Sequence, residues 1–152
     1  MKMPVKLAGF VILLASLSFY AISAQARDTR HLLPIRDVIK MGRANGTLRH
    51  DIGLYFGSQS HPPVRARLAR GVVTNKKTST LNRSDRAACR RVMLSALIQL
   101  QERARADGGN AVINIRSYYR KRTYRSSSQY ECHAGDIVSG VALRGDVVRL
   151  RY

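Results

Sequence analysis

SDRAACRRVMLSALIQLQERARADGGNAVINI, residues 84–115, is the stretch whose reading decides the fold. Ser84 and Asp85 form an N-cap pair, and Arg86 to Ala106 contains neither Gly nor Pro before Gly108-Gly109 stops it. At 100° per residue, Cys89, Val92, Met93, Ala96, Leu97, Leu100 and Ala104 share one face. Leu94 and Ile98 add an apolar flank, and only Arg91, Ser95, Gln99 and Glu102 make a clearly polar strip. A helix this apolar needs cover on more than one side, from a sheet and the N-terminal helix or from an oligomer interface. Past Gly-Gly the period changes from helical to two, and Ala111–Tyr119 reads as a strand rich in Val, Ile and Tyr.

On the C-terminal side, Arg120–Ser128 reads as a basic polar turn and Gln129–His133 as a return strand with Tyr130 and Cys132 on one face. Asp136–Leu143 reads as a further strand. Arg144-Gly145-Asp146 reads as a turn before a last short strand, Val147–Leu150. On the N-terminal side, Leu33–Met41 suits a short helix after Pro34, ended by Gly42 or Gly46. Ile52–Phe56 and Val64–Thr74 read as strands, with Asn75–Arg83 a polar loop. The expected fold class is therefore α+β: one long helix packed on an antiparallel β-meander, with a short N-terminal helix.

The outermost N-terminal stretch has a different character. Lys2 and Lys6 precede an almost wholly apolar run, Leu7–Ile22, and Ala24-Gln25-Ala26 is a small-x-small cleavage pattern. Residues 1–26 are expected to be a cleaved signal peptide without a lipoprotein cysteine, and 27–152 a single domain of 126 residues with no further membrane span. Loss of Lys2 and Lys6 takes the formal charge from +18 to +16. In an exported chain, two cysteines, Cys89 and Cys132, read as one disulfide. The alternatives are two buried free thiols, or a Cys/His metal site that adds His133.

The chemistry-bearing patterns are sparse. Glu occurs only as Glu102 and Glu131, so paired-glutamate chemistry is nearly excluded. His31, His50, His61 and His133 show no metal-ligand spacing, and no phosphate loop or nucleophile–base pair is present. No catalysis, cofactor or metal is expected. The most suggestive run is Tyr118, Tyr119, Arg120, Lys121, Arg122, Tyr124 and Arg125, with Tyr130 beyond it: bases to neutralise phosphates, rings to stack. Arg is spread along the whole chain, so the same run also reads as a solvated basic surface.

Ala96–Gln101, Ala104, Gly108–Ile115, Ser117-Tyr118-Tyr119, Tyr130–Gly135 and Gly140–Leu143 together resemble one family. It comprises small exported bacterial proteins of unknown function that often carry the label of an excinuclease ABC repair ATPase. The likeness covers residues 72–150, Asn75-Lys76-Lys77-Thr78 included. A repair ATPase of that kind has phosphate loops and zinc modules, which this sequence lacks. More distantly, the order helix, Gly-Gly, Asn-Ala-Val, strand is similar to the RcsF envelope sensor and to YbjQ-type putative heavy-metal-binding proteins. The first likeness implies a disulfide-stapled periplasmic module, the second an oligomer of the same α+β unit.

The expected function is a periplasmic, non-catalytic binding or envelope-sensing module. The alternative is a polyanion binder, for nucleic acid or lipopolysaccharide, working through the Tyr/Arg-rich segment. The expected partner is an envelope protein or an anionic polymer, with homo-oligomers left open.

Overall fold

The computed structural model describes residues 25–152; the apolar leader expected over 1–26 lies almost entirely outside them. In chain order the elements are β1 (Thr29–Pro34), α1 (Ile35–Ala44), β2 (Gly53–Phe56), β3 (Val64–Ser79), α2 (Asp85–Ala106), β4 (Ala111–Ser117), a 3₁₀ turn at Tyr119–Lys121, β5 (Gln129–Ala134) and β6 (Val138–Leu150). Among these described residues no helix is long and apolar enough to cross a membrane.

The α2 helix begins where its cap requires. The Ser84 hydroxyl accepts the Ala87 N–H, and Asp85 sits in the first turn, where the helix dipole favours an acid. It stops because Gly108 takes φ +77° and the Gly109 N–H returns to the Ala104 carbonyl. Its broad buried face packs on the sheet, while α1 covers the Leu94 and Ile98 flank. Gly42 of α1 comes so close that a Cβ there would stand 2.6–2.7 Å from Leu48 and Leu94 side-chain atoms.

The expected helix-on-meander architecture is overturned. The chain forms a curled, mixed, six-stranded half-barrel with two helices. Three features escaped the sequence. First, β2 pairs parallel with β4, Leu54 opposite Val112, across the intervening β3 and α2. A meander cannot supply that pairing, because parallel neighbours need a crossover.

Second, Arg144-Gly145-Asp146 is no turn. It lies inside one unbroken strand, with Gly145 opposite Val72 and Asp146 opposite Ile113. Glycine is needed there for space: a Cβ would stand 2.7 Å from the Val112 methyl and 3.2 Å from Ile115. The Asp146 carboxylate accepts the N–H of Gly71, whose φ of +62° marks a bulge in β3. Third, the polar stretch Asn75–Ser79 continues β3 instead of looping, with each residue in register with Ala142–Val138 of β6. Polar residues are tolerated because β3 pairs on one side only and one of its faces is exposed.

β6 is the spine. β3 lies along one edge; on the other, β5 pairs at Gly140 and Ser139, and β4 takes over from Leu143 to Val148. Serving two strands in succession on one edge splays and curls the sheet. β1 then extends β5 and β2 extends β4. The concave, helix-covered side holds the main core, built around Val92, Leu97, Leu100, Ile115, Val141 and Leu143. A disulfide between Cys89 and Cys132 ties α2 to β5 through this core. A small second cluster, Ala111, Ile113, Val148 and Leu150 with Tyr55 and Val64, covers one end of the other face.

Candidate functional site

Strand alternation sends Tyr130 and Cys132 toward α2, and Glu131 and His133 to the helix-free side. There the two build a charged network. His133 is 7% exposed; its Nδ1 lies 2.8 Å from Asp28 Oδ1 and its Nε2 2.6 Å from Glu131 Oε1. Both ring nitrogens of His133 therefore face a carboxylate oxygen at hydrogen-bond distance. Arg30 donates to the other Glu131 oxygen at 3.0 Å, and Arg120 reaches the other Asp28 oxygen at 3.3 Å. Burial alone pushes the Glu131 carboxyl up, but the contacts with His133 and Arg30 outweigh it and hold it below the ordinary glutamate value.

The Tyr118–Arg125 segment lies across this face. An antiparallel bridge between Ser117 and Tyr124 closes it as a loop, and its first turn folds back onto the sheet. Tyr119 stacks on the His133 ring, centroids 3.6 Å apart and planes within 8°. Arg120 and Lys121 both take positive φ, 50° and 60°, a conformation non-glycine residues adopt at a cost of about 1–3 kcal/mol each. That backbone aims Tyr119 at His133 and Arg120 at Asp28.

The other members of the run are placed as follows. Tyr118 lies under the Arg144 guanidinium at 5.1 Å and Tyr124 under Arg30 at 5.1 Å. Arg125 donates to the Asn114 side chain, while Lys121 and Arg122 are exposed. The structure therefore brings Tyr119 and Arg120 into one site, leaves Lys121 and Arg122 outward, and occupies a face of Tyr118 with Arg144 and of Tyr124 with Arg30.

Beside the Tyr119–His133 stack opens a cleft of about 580 Å³, lined by Arg27, Asp28, Asn75, Lys77, Tyr119 and Arg120 among others. Three of those six are cations, and two of the three are paired with carboxylates, Arg27 with Asp85 and Asp136 and Arg120 with Asp28. Arg27 is held by Asp85, Asp136 and the Gly135 carbonyl, each at 2.8 Å. Lys77 makes no ion pair among the described residues. A larger concavity, about 870 Å³, lies between α1 and β2, but its charged residues Arg36, Asp37 and Arg43 are all exposed and no buried network holds them.

Three members of the site were missed from the sequence: Asp28, Glu131 and Lys77. Glu131 carried a readable signal, since Glu131 and His133 flank Cys132 on a strand and must share a face. Asp28 and Lys77 carried none, because their approach depends on how β1 and β3 are placed. Among the described residues no group of three His, Cys, Asp or Glu is placed to hold a metal. With both sulfurs in the disulfide, the Cys89–Cys132–His133 metal alternative loses its thiolate ligands. No family model, curated protein or solved structure matches the chain.

Proposed function

We propose that the chain is an exported, periplasmic, non-catalytic binding module, stapled by Cys89–Cys132, that takes an anionic group in the cleft beside Tyr119. The observation that carries this reading is the strained turn at Arg120-Lys121. Strained backbone persists only where its surroundings over-determine it, and here it fixes a flat ring and a guanidinium at the rim of a cleft that Lys77 also lines. The His133–Glu131–Asp28 network is the scaffold of that rim, not an acid–base pair: each of its side-chain polar atoms already faces a partner in the fold. Lys77 supplies a cation that makes no ion pair among the described residues. The reading keeps the stapled, exported module that the family resemblance implies, and it shares Tyr119 and Arg120 with the polyanion alternative.

The test is calorimetric titration of residues 27–152 with tripolyphosphate over a salt series. Affinity should fall as salt rises. Lys77→Ala/Arg120→Ala should weaken binding about tenfold or more beyond Arg65→Ala/Arg70→Ala, a pair of exposed β3 residues with the same charge loss. Equal losses for the two pairs would reduce the cleft to part of a uniformly basic surface.

A further inference from the structure

Among the described residues, three of the five exposed large hydrophobic side chains lie at one end of the molecule: Leu81 at 60% exposure, Ile137 at 65% and Val138 at 44%. Their backbones are joined there, since the Thr80 N–H donates to the Ile137 carbonyl and the Gly135 N–H to the Val138 carbonyl. The pair Ser79–Val138 is the last of the β3–β6 ladder, so the patch is the tip of the two longest strands. Lys77 and Arg83 stand exposed near it, and Asp136, the exposed acid within the tip, is paired with Arg27. Arg83 is folded toward the tip by a hydrogen bond to the Ser79 carbonyl.

A second observation gives the tip a direction. Arg27 is fastened at this same end, through Asp136 and the Gly135 carbonyl. The described chain therefore begins at this end, and the apolar run Leu7–Ile22 precedes it in sequence. The cleft opens at the same place, because Arg27, Gly135 and Val138 also line it.

We infer that the 80–83 and 135–138 tip is a membrane-docking surface for bilayers carrying anionic phospholipid. Leu81 and Ile137 enter the headgroup boundary, and the surrounding bases meet lipid phosphates. Apolar insertion and electrostatic attraction are each weak for so small a patch, and together they make a reversible peripheral contact. In export, such a contact would hold the folded domain at the membrane surface after its leader is removed. The inference rests on the proposed function for export and for the anionic character of the ligand, but not on the cleft closing around any ligand.

The test is co-sedimentation of residues 27–152, which contain every described element and the disulfide, with phosphatidylglycerol-containing vesicles and with pure phosphatidylcholine vesicles. Binding is expected only to the former, weakening as salt screens it. Leu81→Ser/Ile137→Ser should lower the partition coefficient about tenfold or more, while Val73→Ser, an equally exposed apolar residue in mid-β3, should leave it unchanged. All three positions are exposed, so an unchanged melting temperature confirms that the variants fold. Wild-type partitioning of the double variant would overturn the inference, as would no binding to anionic vesicles. So would a dimer in vesicle-free solution that the same double variant dissolves, since a second copy would then cover the tip. Tripolyphosphate separates the two proposals: the tip variant should bind it normally, whereas Arg120→Ala should lose it and still reach the vesicle.

Discussion

Reducing the Cys89–Cys132 disulfide perturbs one covalent link and no other contact, so its cost can be worked from the structure. The bond joins residues 43 apart in sequence. Closing a loop of that length removes about 13 cal/mol/K of chain entropy from the unfolded state, about 4 kcal/mol at 25 °C. Both sulfur positions are fully buried among Val92, Leu97 and Val141, and free thiols are tolerated there as small apolar groups. Little native-state cost should therefore add to the entropic one. For a domain of this size the unfolding entropy is about 0.27 kcal/mol/K, so the melting temperature should drop by about 15 °C. The assay is a pair of thermal melts of residues 27–152, oxidised and reduced, with alkylation under denaturing conditions confirming zero and two thiols. The reduced chain should remain folded at 25 °C, since domains hold about 5–15 kcal/mol. A drop under about 4 °C with both thiols verified free would refute the reasoning, because the loop would then not be what limits the unfolded chain.

Gln101 is buried in α2; its amide donates to the Arg49 and Ile52 carbonyls and its oxygen accepts the Arg49 N–H. Gln101→Leu should cost about 3 kcal/mol in denaturant unfolding, since it strands three backbone groups of the 49–52 loop. Gly145→Ala should cost about 1–3 kcal/mol in the same assay, because its Cβ would collide with Val112 of β4. Asp85, hydrogen-bonded by Arg27 and by His31, has its carboxyl pulled down to about 2. Its folded value lies below the unfolded value of about 3.9. The stabilisation is thus fully present above that pH and is lost as pH falls toward 2. Acid unfolding of Asp85→Asn, followed by circular dichroism, should show a shallower loss over that window than the parent chain.

Local signals in this chain are honest and long-range ones are nearly silent. The α2 cap, its apolar face and its Gly-Gly stop are short-range chemistry, and the helix forms where Ser84 and Gly108 place it. The β4 and β5 strands are likewise written in their alternation. β1 was unreadable because Arg30 and His31 give it no apolar alternation; it is held by its ladder with β5 and by the contact of Arg30 with Glu131. β6 was cut in two at Arg144-Gly145-Asp146 because those residues commonly make turns. Here Gly145 serves close strand packing and Asp146 serves a bulge in a different strand. Neither demand can be seen without knowing that β3 and β4 flank β6. The site divides in the same way. Tyr119 and Arg120 stood out by composition, whereas the groups that hold them, His133 of β5 and Asp28 just before β1, did not.

The claim on which the account turns is that the cleft beside Tyr119 receives an anion. The most direct measurement is a two-dimensional amide NMR titration of residues 27–152 with tripolyphosphate at moderate salt. The account predicts saturable shifts concentrated at Asn75, Lys77, Tyr119–Lys121 and Gly140, with Arg65, Arg70 and Arg149 at the far end of the sheet nearly still. Small, unsaturated shifts spread evenly over the arginines, with Tyr119–Lys121 no different from the rest, would contradict it.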